Sequence, residues 1–265
     1  MFLSLMSVNL RRAFLSKGFL IGVLSTLLLL FFGASPELFK QNYADVWEFG
    51  SSDILSAQSI ATHGTGGALF IMFGVLPILG FGTTFAEEWQ QNAINFWVGR
   101  VGIVRYALGK ALATAISGFL MPMCGFLLFL LLLLPFVPLH RSFQTGNPYE
   151  MVLLNQGPLS FFLIISLHYA LGAMMCSMVG LGISTLFPDK FVAVSSPMII
   201  YFFLLIVLPP PKIPEVIWPV YLVDGIFPMP TPLATILVRI VFVSTVCILT
   251  GISSLYLVRR RFENG

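Results

Sequence analysis

The sequence predicts an all-α integral membrane fold: six transmembrane helices, an N-terminal interfacial helix, an amphipathic cytoplasmic helix between the second and third spans, and a re-entrant segment before the sixth. Three observations carry this prediction. Of 265 residues, 57% are hydrophobic and only 9% charged, with a mean hydropathy of +0.94. A soluble domain carries roughly 25% charged residues, so this chain lacks the polar groups to cover a surface in water. The apolar residues gather in six runs, each close to the ~20 helical residues that cross a hydrocarbon core of about 30 Å. These runs do not alternate apolar with polar residues, as the strands of a membrane barrel would.

In chain order the runs are Gly18–Ala34, Thr65–Phe85, Leu108–Val137, Pro158–Phe187, Phe191–Leu208 and Leu233–Val258. They form a transmembrane domain over 18–258, preceded by residues 1–17 and followed by a cytoplasmic tail, 259–265. The third and fourth runs are longer than a straight crossing needs, which predicts tilt, a kink at Pro122 or extension beyond the bilayer. Only Pro188, Asp189 and Lys190 separate the fourth run from the fifth, so the two form a tight hairpin. Orientation follows from Lys and Arg. Arg11, Arg12, Lys17, Arg100, Arg105, Lys110, Lys190, Arg259, Arg260 and Arg261 fall on one side, and Lys40, Arg141 and Lys212 on the other. This puts both termini in the cytoplasm. The formal charge of +3 therefore reports topology and implies no nucleic-acid partner.

Residues 1–17 place Leu3, Met6, Leu10 and Phe14 at helical spacing, with Ser4, Ser7, Arg11 and Arg12 on other faces. That pattern suits a helix lying in the interface with its basic side towards headgroups, and equally a positively charged flank of the first span. No A-x-A-like site follows, so the first helix reads as retained. Arg11, Arg12, Lys17 and Lys110 read as interfacial anchors. Residues 35–64 form an external loop whose Trp47, Phe49, Ile54 and Leu55 suggest packing at an outer mouth.

The polar stretch FAEEWQQNAINFWVGRVGIVRYALGK, Phe85 to Lys110, is unlike the rest of the chain. Trp89, Ala93, Phe96 and Trp97 fall on one helical face and Glu88, Gln91, Asn92 and Asn95 on the opposite one. The spacing predicts one helix over 87–98, parallel to the membrane, with Arg100 and Arg105 leading into the third span. Near the other end of the chain, Leu208–Leu233 holds eight of the seventeen prolines. Proline lacks an amide donor and breaks helices, yet the segment stays apolar. Residues 209–232 therefore read as a re-entrant or interfacial hairpin, or a plain aromatic-belt loop.

Ionisable groups within the runs are few. Arg239 lies about two turns into the sixth run, where it either snorkels outward or lines a polar cavity. His168 stands in the fourth run with no Asp or Glu companion in any run, which excludes a paired-acid proton relay or an intramembrane protease. Cys124, Cys176 and Cys247 lie inside apolar runs as small hydrophobes, without metal-ligand spacing. The sequence has no G-x-x-x-x-G-K-[ST], so the chain itself binds no nucleotide in that way. It reads as neither an enzyme nor a metalloprotein.

In this arrangement of segments, the chain resembles the ABC-2 type (type V exporter fold) permeases of ABC transporters. The local match is Glu88, Asn92-Ala93, Phe96-Trp97, Arg105 and Gly109-Lys110, which is similar to the family's coupling-helix pattern. The start, NLRRAFLSKGFL, resembles its connecting helix. Gly-Thr is more usual than Asn-Ala at the small pair, and VGRVGIV stands where the family commonly has a proline. The resemblance implies a transmembrane subunit driven by a separate pair of ABC ATPase subunits, which would bring the ATP and magnesium; this chain would carry no cofactor. Those subunits would dock on 87–98, through Glu88, Trp89, Asn92, Ala93, Phe96, Trp97, Arg100 and Arg105. A second permease copy or a homologue would complete a dimer in the lipid bilayer. The path would run along spans one, two and five. Gly74 and Gly80, in a glycine-rich second span, allow close helix contact or small backbone shifts, and Arg239 is a further pathway candidate. An apolar path implies an amphipathic or lipid-like cargo, and the resemblance implies its export across a bacterial cytoplasmic membrane. The alternative is a membrane anchor or assembly factor that transports nothing and recruits a cytoplasmic partner through the same helix.

Overall fold

The structure is a computed structural model, and it describes residues 2–40, 69–135, 149–207 and 231–263. Side chains of 2–3, 34–40, 69–73 and 204–206 lie outside that description, as do the external loop beyond residue 40 and most of the re-entrant segment expected over 209–232. All regular structure among the described residues is helical. In order, the helices are α1 Phe2–Phe14, α2 Lys17–Lys40, α3 Leu69–Phe81, α4 Thr84–Gln90, α5 Ala93–Val101, α6 Ile103–Leu133, α7 Glu150–Gln156, α8 Pro158–Leu186, α9 Lys190–Val207 and α10 Pro232–Glu263.

Three helices, α6, α8 and α10, are long and apolar enough to cross a membrane, which makes this an integral membrane protein by length and composition. A fourth crossing is added if α1 and α2, bent by 50° at the Leu15–Ser16 break, count as one broken span. Composition predicted six. Among the described residues, α9 is a shorter apolar helix over Lys190–Phe203, and α3 covers 13 residues. At about 1.5 Å per residue α6 is roughly 46 Å long, and it continues through Pro122 without losing its helical assignment.

α6 and α8 pack along each other at the centre. Close contact is possible because small residues face each other: Gly118 of α6 meets Ser177 of α8, and Gly125 of α6 meets Thr26 of α2. α2 and α3 lie against α6, α3 also against α8, and α10 against both α8 and α6. One large apolar core joins α6, α7, α8 and α10 through Phe126, Phe129, Tyr149, Leu153, Phe161, Phe162, Ile236 and Val243. A second core holds the opposite end, where Phe85, Ile94, Tyr106, Met178, Leu181 and Val258 bring α4 and α5 onto α6, α8 and α10.

Several expectations change. Along α1 the buried strip is Leu5, Asn9 and Ala13, with Met6, Leu10 and Phe14 half-buried. The smaller strip wins because Leu5 and Asn9 must fit over Gly109 of α6. α7 was not expected at all. Its entry residue Tyr149 is 2% exposed, and Gly157, at φ +94°, turns the chain from α7 into α8. As far as Glu263, the segment following residue 258 continues α10 as helix, with Arg259 paired to Glu263 one turn on. The short link between α8 and α9 is a tight turn, closed by Asp189 Oδ1, which accepts from the backbone N–H groups of Phe191 and Val192 at the start of α9.

Candidate functional site

The stretch expected as one helix over 87–98 is two helices. α4 ends where Asn92 takes a left-handed conformation, φ +56°. Asparagine is one of the few residues with a side chain that visit this region readily. α5 then runs to Val101 and stops at Gly102, φ +83° and ψ 152°, a conformation open essentially to glycine alone. The break rotates the two halves independently, so the single amphipathic face drawn from Trp89 to Trp97 does not exist.

The consequence is largest at Glu88, which periodicity had placed on the polar face. It is 3% exposed. Arg12 Nη1 of α1 donates to its Oε1 at 2.7 Å and Lys110 Nζ of α6 donates to the same oxygen at 2.8 Å. The Tyr106 hydroxyl of α6 donates to Oε2 at 2.7 Å. Lys110 is itself 2% exposed. Its ammonium also donates to Thr84 Oγ1 at 3.2 Å and lies 4.6 Å from the centroid of the Phe81 ring. Lys110 is therefore no headgroup anchor. It is a buried counter-ion, and Arg12, half-exposed, joins it on the solvent side. Arg11 and Lys17 remain exposed.

The two ion pairs differ in weight. An exposed or half-exposed pair such as Arg12–Glu88 contributes about 0–1 kcal/mol. Removing one partner of a buried pair such as Lys110–Glu88 costs roughly 3–5 kcal/mol, because the other charge stays buried. Burial opposes ionisation of Glu88. The Lys110 charge and the hydrogen bonds from Lys110, Tyr106 and Arg12 more than offset it, holding the carboxyl below its ordinary value.

The other residues of the stretch separate into clamped and free. Trp89 stacks near Phe85, and the Arg261 guanidinium of α10 sits 4.7 Å from its ring centroid. Gln90 Nε2 donates to Pro188 O in the α8–α9 link at 3.0 Å. Trp97 is half-buried, with Arg12 5.7 Å from its ring centroid. Ala93 is half-buried, and Asn92, Arg100 and Arg105 are exposed. Phe96 is 58% exposed, with Arg100 4.9 Å from its ring centroid. Thus α4 and α5 are tied to α1, α6, the α8–α9 link and α10, and present one exposed aromatic–cation pair outward. Arg261 and Gln90 were not singled out from sequence; their partners lie far along the chain.

The expected pathway residues sit inside packed contacts. A methyl at Gly80 would lie 2.8 Å from Met121 Cε of α6, and one at Gly74 would lie 3.8 Å from Cys176 Sγ of α8. Arg239 is 1% exposed, enclosed by protein, and its Nε donates to His168 O at 3.0 Å. His168 Nδ1 in turn shares a 2.8 Å hydrogen bond with the Tyr149 hydroxyl. Among the described residues no group of three His, Cys, Asp or Glu side chains could hold a metal ion. Compared with protein-family models, curated proteins and solved structures, the chain finds no significant match in any of the three.

Proposed function

We propose that this chain is the membrane subunit of an ATP-driven transporter, moved by a separate cytoplasmic ATPase that grips α4 and α5. The observation that carries the reading is the contrast within 84–101. The inner face of this element is bonded to α1 and α6 through Glu88, to α10 through Trp89 and to the α8–α9 link through Gln90. Its outer face offers Phe96 and Arg100. A force applied to such an element reaches several membrane helices at once. A loop that only floated on headgroups would need no buried ion cluster beneath it.

In this reading α2, α3, α6, α8, α9 and α10 are the six crossings, α1 lies in the interface, and 209–232 re-enters from the outer side. Two copies, or this chain with a homologue, would enclose a path for an amphipathic or lipid-like cargo leaving the cell. ATP and magnesium would be held by the ATPase.

A photo-crosslinking amino acid in place of Phe96 tests the docking in intact membranes. The expected product is an adduct with a soluble nucleotide-binding subunit. An adduct confined to lipid would contradict the proposal, and an adduct with a protein that binds no nucleotide would favour an anchor over a transporter.

A further inference from the structure

Two arginines of α10 donate to main-chain carbonyls of α8 near opposite ends of the pair. Arg239 Nε donates to His168 O at 3.0 Å, and Arg261 Nη2 donates to Leu186 O at 2.6 Å. The arginines are twenty-two positions apart, roughly 33 Å along the helix, and the acceptors eighteen, roughly 27 Å, so both sites are met by helices running side by side in the same direction. That separation is about the thickness of a hydrocarbon core. His168 O lies inside α8 and has a second lone pair for the arginine, whereas Leu186 is the last residue of α8, where carbonyls lack a helical donor and Arg261 supplies one.

The seam between the sites is continuous. Thr235, Ile236, Arg239 and Val243 are the buried positions of α10 towards one end and Ser254 and Val258 towards the other, with Cys247, Thr250 and Gly251 half-buried between them. At mid-seam a methyl on Gly182 of α8 would lie 3.8 Å from Thr250 Cβ. At the upper site a methyl on Gly172 would lie 2.5 Å from Arg239 Nη2, so the glycine is the seat of the guanidinium. The Tyr149–His168 bond adds α7 to the same site.

We propose that α7, α8 and α10 form one rigid strut, pinned at both ends by these arginine-to-carbonyl bonds. The strut does not depend on what drives the protein or what it carries.

Spin-label distances in lipid nanodiscs test it, in a background with Cys124, Cys176 and Cys247 replaced. One label pair reports the upper end, at the exposed Leu163 and Leu237, and a second the lower end, at the exposed Phe187 and Tyr256. Both pairs should give a single narrow distribution in the parent chain. Arg239→Gln should abolish the narrow peak of the upper pair alone, and Arg261→Gln that of the lower pair alone. An upper pair that stays narrow in Arg239→Gln, a lower pair that stays narrow in Arg261→Gln, or broadening of both pairs by either change would overturn the strut.

Discussion

Glu88 shows how a single residue can be misplaced by an otherwise sound pattern. Its neighbours in sequence put it on the polar side of an amphipathic helix, but its partners are Arg12 and Lys110, 76 and 22 positions away. Local periodicity cannot report a charge that arrives from another helix. The cluster makes sharp predictions. Glu88→Gln leaves Lys110 buried without its counter-charge and should destabilise the fold by roughly 3–5 kcal/mol, measured as a lower unfolding temperature in detergent. Arg12→Gln should cost no more than about 1 kcal/mol. Lys110→Met added to Glu88→Gln should recover part of the loss, since replacing both members of a buried pair by groups of similar volume removes the orphaned charge. Because the folded-state pKa of Glu88 is depressed, its stabilisation is fully present above the unfolded carboxylate value and is lost as pH falls through the depressed one. The Glu88→Gln variant should therefore lose less stability than the parent across that acid window.

At the scale of elements, the long helices were legible because an apolar run of bilayer length is unambiguous, and the α8–α9 hairpin because three residues permit little else. The breaks around α5 were less legible. Asn92 and Gly102 are ordinary residues in a polar stretch until their backbone is seen, although a glycine followed at once by a new apolar run was a signal that could have been used. These positions separate by chemistry. Gly102→Ala forces a side chain into a glycine-only conformation and should cost about 1–3 kcal/mol, whereas Asn92→Gly keeps the left-handed residue permitted and should leave the unfolding temperature nearly unchanged. The buried face of α1 was missed for a different reason. Hydrophobic spacing favours large residues, but the helix meets α6 at Gly109, where Asn9 and Ala13 lie on the contacting strip.

For the whole molecule, composition established membrane burial and helical class, while three helices satisfy the length and apolarity of a crossing on their own and a bent pair supplies a fourth. What sequence could not supply was the wiring. α4 and α5 are bonded to helices from the start, middle and end of the chain: to α1 and α6 through Glu88 and to α10 through Trp89. Within the predicted docking set, the exposed Phe96–Arg100 pair can be truncated with this wiring intact, whereas Trp97 and Trp89 take part in the packed core. The most direct measurement is to extract the protein from native membranes in mild detergent and assay what accompanies it, comparing the parent with Phe96→Ala/Arg100→Ala. The account predicts an ATP-hydrolysing subunit with the parent and its loss from a variant of unchanged unfolding temperature. Isolation of the parent without an ATPase, or equal recovery of one with the variant, would contradict it.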